Sequence, residues 1–239
     1  MKRIQRVNLI DGPILPSLLS FAFPILLSNI FQQLYNTSDV MIVGRFLGQK
    51  SLATVGATSA IFDLIVGFAV GVGNGMGIVI ARSYGAKNEN KLRKSVAATT
   101  IIGGFLSLLV IFIGVFGLYP HLQFLGTPSG ILNQSYLYIS TIVNGIAVTF
   151  AYNLCAGLLR AIGDSLAALY FLIIAAILNI LLDLFFITQL HLGVQSAGIA
   201  TIIAQSTSAI LCFLYILKKY LFLCQRVRIL SGIRGCIRI

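Results

Sequence analysis

Long apolar runs separated by short polar and basic stretches dominate this chain. A bilayer crossing needs roughly 20 mostly apolar residues. Six runs qualify: Ile14 to Ser38, Leu52 to Ala81, Val96 to Tyr119, Ile131 to Asn153, Leu166 to Thr188 and Ala197 to Leu217. Pro24 in the first run and Gly67, Gly71 and Gly75 in the second would argue against soluble helices, but membrane helices tolerate both residue types. The three glycines also repeat the spacing at which helices approach closely. The pattern predicts an all-α membrane protein, a polytopic bundle of six transmembrane helices.

Composition agrees. Of 239 residues, 58% are hydrophobic and 10% charged, and the mean hydropathy is +0.96. That leaves too little polar surface to solvate a soluble domain, and a lipid-facing exterior resolves the conflict. The net charge of +11 would suit a nucleic-acid binder, yet the basic residues lie in short clusters between apolar runs, so no nucleic-acid partner is expected. Cys155, Cys212, Cys224 and Cys236 form no C-x-x-C pair, which speaks for free thiols over a zinc site or a disulfide framework. His121 and His191 fall in expected outer loops without a partner at ligand spacing. No nucleophile and base are paired, so an enzyme is not expected, and no cofactor is implied.

The basic clusters orient the bundle. One set of loops holds Lys2, Arg3 and Arg6, then Arg82, Lys87, Lys91, Arg93 and Lys94, then Arg160, then Lys218, Lys219, Arg226, Arg228, Arg234 and Arg238. The alternate set holds only Arg45 and Lys50. The richer set is expected on the cytoplasmic side, with both termini there and the plasma membrane as location. Three segments follow: a cytoplasmic amino-terminal segment over 1–13, a transmembrane lobe over 14–217, and a basic cytoplasmic tail over 218–239.

Acidic residues within membrane spans are expensive and invite a functional reading. In the first run Ser28, Gln32, Tyr35, Asn36 and Asp39 share one helix face, which should look into the protein or a water-filled cavity. The alternative puts Asp39 beyond the helix end, in a loop near Arg45. In the fifth run Asn179 and Asp183 stack one turn apart in a wholly apolar setting. A carboxylate beside an amide oxygen offers hard ligands to a small cation or a seat for a proton. The alternative is an interhelical hydrogen bond that serves packing alone. Asp63 has only Ser59 as a polar companion one turn back.

Several ordered segments then add up. Phe23-Pro24-Ile25-Leu26-Leu27-Ser28-Asn29, Gln32-Gln33-Leu34-Tyr35-Asn36, Asp39 and Val43-Gly44-Arg45-Phe46-Leu47-Gly48 resemble the first helix and loop of MATE multidrug and toxic-compound extrusion transporters. Ser83-Tyr84-Gly85-Ala86-Lys87, Gly157-Leu158-Leu159-Arg160-Ala161-Ile162-Gly163-Asp164 and Ala197-Gly198-Ile199-Ala200-Thr201 continue the resemblance, which covers roughly Ile10 to Lys219. It implies one of two six-helix lobes around a central cavity. It further implies a cation site at Asp39, Asn179, Asp183 and Thr201, able to take H+ or Na+. Pro24 stands where the family has a helix-bending proline, and Gln32, Tyr35, Asn36 and Asp63 are candidate cavity-lining residues. Ser165-Leu166-Ala167-Ala168 departs from the family's Thr- and Pro-containing stretch.

The function expected from this resemblance is cation-coupled export of drugs or toxic organic cations, with this chain as the amino-terminal half. A second lobe, a homodimer or a separate half-transporter would complete it within the lipid bilayer. A truncated or frameshifted product is a further expectation, raised by the tail after Lys219. The competing readings are a non-transporting membrane subunit or inactive remnant, and a lipid-linked sugar flippase. The flippase would want central Lys or Arg residues, which the runs lack.

Overall fold

The computed structural model describes residues 14–220, and every regular element among them is a helix. The segment over 1–13, the tail from 221 onward, and Cys224 and Cys236 lie outside the described residues. The elements are α1 (Ile14–Gly85), α2 (Glu89–Phe124), α3 (Ser129–Asn144), α4 (Ile146–Ala161), α5 (Ser165–Thr188) and α6 (Gln195–Lys219).

The first two expected runs form one 72-residue element, with no outer loop between them. Straight, it would extend about 108 Å, more than three times the roughly 30 Å hydrocarbon thickness of a bilayer. Gly48 divides it. Its backbone (φ 80, ψ −177) lies in a region open essentially to glycine alone, and the helix resumes on its far side in a new direction. The two arms then pack on each other. Val43 and Val55 share one buried cluster, and Gln32, Tyr35 and Val66 line one internal chamber. Helix thus continues through Asp39 to the Gly48 break, and the loop placement of Asp39 is corrected.

The fourth expected span is also reshaped. It is the pair α3 and α4, bent by 45° at Gly145. A Cβ on Gly145 would come within 2.4 Å of Ile202 in α6, so the bend lets α6 pack against bare backbone. α2, α5 and α6 are each long and apolar enough to cross a membrane, the bent pair supplies another crossing, and the arms of α1 supply two. His121 lies in the last turn of α2, its ring Nδ1 2.6 Å from the Gly117 carbonyl oxygen, so its expected loop placement does not hold.

Close helix approach occurs, but not at the expected glycines. Cβ atoms on Gly67, Gly71 or Gly75 would meet open space. Gly73 and Gly77, on the adjoining face, instead pack α1 against α4: a Cβ on Gly157 would stand 2.5 Å from the Gly73 carbonyl oxygen. Spacing alone marks which residues can be approached, while the rotation of the arm decides which of them are.

Buried clusters around Leu159, Ile139 and Phe150 form the interior, and large apolar side chains such as Leu64, Ile78, Phe105 and Phe116 point outward. That outward apolar shell is what a lipid solvent requires.

At one end of the bundle the turn between α4 and α5 is tied to the end of α6. A single carboxylate oxygen, Asp164 Oδ2, accepts from Lys219 Nζ at 2.7 Å and from the hydroxyls of Tyr215 and Tyr220 at 2.9 Å each. Burial alone would raise the pKa of Asp164, but the hydrogen bonds from Lys219, Tyr220 and Tyr215 outweigh it and hold the carboxyl below the usual carboxylate range.

Candidate cation site

Three helices bring four polar residues to one place inside the bundle. α1 contributes Asp39, α5 contributes Asn179 and Asp183, and α6 contributes Thr201. Asn179 and Asp183 face inward together because they are one helical turn apart, and both are fully buried. Thr201 sits in the first turns of α6, where its hydroxyl lies 2.9 Å from the Ala197 carbonyl oxygen and 3.4 Å from Asp39 Oδ2. Asn179 Nδ2 approaches Thr201 Oγ1 at 3.5 Å.

The carboxyl groups of Asp39 and Asp183 face one another. Among the described residues, Asp39 Oδ1, Asn179 Oδ1 and both carboxylate oxygens of Asp183 are buried without a hydrogen-bond partner. Leaving such groups unmatched is costly, and native structures rarely do so without a reason. Every one of these atoms is an acceptor, so the missing component is positive: a shared proton or a small cation. No group of three or more His, Cys, Asp or Glu side chains forms a metal site among the described residues. Two carboxylates supplemented by neutral oxygens suit a hard, weakly charged ion better than a thiophilic metal.

Tyr35 and Tyr138, both buried, flank the carboxylates. One turn along α1, Tyr35 also borders a narrow chamber of about 10 Å³ with Gln32, Thr149, Asn153 and Gln205. There Thr149 donates to Gln205 Oε1, and Asn153 Nδ2 donates to the Thr149 carbonyl oxygen at 2.8 Å. Gln32 and Tyr35 are among the residues that line this chamber. Asn36 is half-buried and outside the chamber, and Asp63 is exposed, away from the cluster. Pro24 is buried within α1, where its carbonyl oxygen accepts from Ser28 Oγ at 2.8 Å.

Sequence reasoning missed Tyr138, Thr149, Asn153 and Gln205. The four-residue steps from Thr149 to Asn153 and from Thr201 to Gln205 carry the same signal that exposed Asn179 and Asp183, diluted by nearby serines and threonines.

Comparison with known proteins agrees with this architecture. Residues 24–185 match the MatE family. The chain is 30% identical over 203 residues to the probable multidrug resistance protein YoeA of Bacillus subtilis, covering 83% of this chain and 44% of that protein. It is 26% identical to multidrug and toxin extrusion protein 1 of Oryctolagus cuniculus, covering 87% of this chain and 36% of the rabbit protein. Among solved structures, a MATE protein in a bent conformation superposes with a TM-score of 0.83 at 26% identity, covering 92% of this chain and 48% of the other. A transporter of the MOP superfamily from Pyrococcus furiosus gives the same TM-score at 25% identity and the same coverage. The chain thus spans about half the length of the bacterial relative and of these structures. With the matched family segment extending over most of the bundle, this multi-pass membrane chain belongs to the MatE family, a family of transporters and not of enzymes.

Proposed function

We propose that the chain forms the amino-terminal half of a cation-coupled exporter of drugs or organic cations, in which Asp39 and Asp183 bind H+ or Na+ and Asn179 and Thr201 supply further oxygens. The observation that carries this reading is the facing pair of buried carboxylates, three of whose oxygens are unpaired, beside the unpaired amide oxygen of Asn179. A site of that composition is stabilised by a monovalent cation and loses one charge when either aspartate becomes an amide.

A second six-helix wall, from a further lobe, a second copy or a separate half-transporter, would complete the cavity between repeats. The lobe corresponds to residues 14–217, flanked by a cytoplasmic segment over 1–13 and a basic tail over 218–239. The basic residues at the ends of α1, α4 and α6 support a plasma-membrane orientation with both termini in the cytoplasm.

The test uses purified chain in detergent, with 22Na+ retention and proton release on a pH jump as paired readouts. Wild-type protein should retain Na+ or release a proton, and Asp183→Asn should abolish the signal while membrane insertion stays intact. An unchanged signal in Asp183→Asn overturns the assignment.

A further inference from the structure

Two thiols meet where α4 packs on α6. Cys212 is fully buried, and Cys155, half-buried, packs against the same apolar cluster with Leu159 and Ile216. Both are free, and each lies within hydrogen-bonding reach of the other. Cys155 precedes Arg160 in the last turn of α4, and Cys212 precedes Lys218 and Lys219 in the last turn of α6, so the pair sits inside the basic end of the bundle.

The charges around the pair are not matched. Tyr152 and Arg160 are its polar neighbours. The Arg160 guanidinium donates to Asn74 Oδ1 at 3.1 Å, and among the described residues no carboxylate forms an ion pair with it. Asp164, the acid that also acts on Cys212, is already answered by Lys219 at 2.7 Å. A half-buried guanidinium with an amide as its acceptor favours negative charge beside it, and a thiolate is the form of cysteine that binds metal.

We propose that Cys155 and Cys212 form a two-coordinate site for a soft monovalent ion, Cu+ or its analogue Ag+, that ties α4 to α6. Ligand softness separates this site from the carboxylates of Asp39 and Asp183, because thiolates select Cu+ where carboxylates select hard ions. Coordination number separates it from zinc: structural zinc takes four ligands, and no third His, Cys, Asp or Glu joins the pair among the described residues. Binding exchanges two S–H bonds for two S–Cu bonds and releases two protons to water. The resulting complex carries one negative charge, which Arg160 balances. Half-buried Cys155 is the first ligand the ion reaches, and buried Cys212 completes the pair.

The test uses the full chain carrying Cys224→Ser and Cys236→Ser, in detergent, without oxygen and with ascorbate. Cu+ is titrated in competition with bicinchoninate. One Cu+ per chain should be retained, with two sulfur ligands by X-ray absorption and an apparent Tm that rises with copper. Cys155→Ser and Cys212→Ser should each abolish retention and the Tm rise, and Cys212→Ala, which keeps that position apolar, should repeat the loss with the metal-free Tm preserved. Arg160→Gln should weaken retention about tenfold, as loss of an outer partner of a metal site does, and Arg160→Lys should keep it. No Cu+ retained against bicinchoninate, one ion shared between two chains, or retention indifferent to Cys155→Ser overturns the proposal.

Discussion

Gly73 and Gly157 bring the second arm of α1 and α4 into backbone contact: a Cβ on Gly157 would stand 2.5 Å from the Gly73 carbonyl oxygen, with nothing flexible in between to give way. Gly157→Ala should therefore separate the helices and destabilise the lobe by about 1–3 kcal/mol, as overpacking does. Gly71→Ala, which faces open space, should be neutral or slightly stabilising. Apparent Tm in detergent checks both, and equal effects would remove the special status of the crossing.

Gly48 carries a different constraint. Its φ of 80 with ψ of −177 is denied to residues with a Cβ, although a Cβ there would touch nothing within 4 Å. The cost of Gly48→Ala is thus conformational, about 1–3 kcal/mol. Gly126, also at positive φ and in open space, provides a control at a surface turn. Both alanine variants should lower the apparent Tm, and only Gly48→Ala should also alter cross-linking between cysteines placed at Val43 and Val55, which share one buried cluster.

At the candidate cation site, neutral ligands should matter less than charged ones. Thr201→Val and Asn179→Leu each remove one oxygen while leaving both carboxylates, so each should weaken Na+ or proton retention by about 1–3 kcal/mol, roughly 5- to 150-fold. Asp39→Asn and Asp183→Asn should abolish retention. Equilibrium 22Na+ binding and pH-jump proton release rank the four variants. A ranking in which Thr201→Val equals Asp183→Asn would contradict the assigned roles.

The knot at Asp164 gives a stability with a defined pH dependence. Its folded-state pKa lies below the usual carboxylate value, so the folded state holds the proton less tightly than the unfolded chain does. The contribution is complete above the unfolded pKa of about 3.9 and is lost as pH falls through the depressed folded value. Asp164→Asn at neutral pH removes a charge that accepts from Lys219, Tyr215 and Tyr220, and should cost about 1–3 kcal/mol. The Tm gap between wild type and Asp164→Asn should be full above about pH 4, and should narrow below it and close only as pH passes through the depressed folded-state value.

The sequence made the membrane class legible because hydrocarbon imposes a length and a composition on each crossing. It also exposed Asp39, Asn179 and Asp183, since a polar side chain is conspicuous against leucine and isoleucine. Tyr138, Thr149, Asn153 and Gln205 escaped for the converse reason: hydroxyls and isolated amides are common enough in membrane helices that their spacing carries little contrast. The break at Gly48 and the bend at Gly145 were equally hidden, because glycine is frequent in these spans and only the backbone path shows which one turns.

Periodicity and hydropathy by themselves determined that the chain is a helical membrane bundle and which acids stand in apolar company, because those properties are local to each span. Only the tertiary structure decided that Asp39 meets Asp183, that Asp63 is left outside that cluster, and that Gly73 rather than Gly71 touches Gly157. Those outcomes depend on how each helix rotates and bends against its neighbours, a choice settled by side-chain packing between segments far apart in sequence.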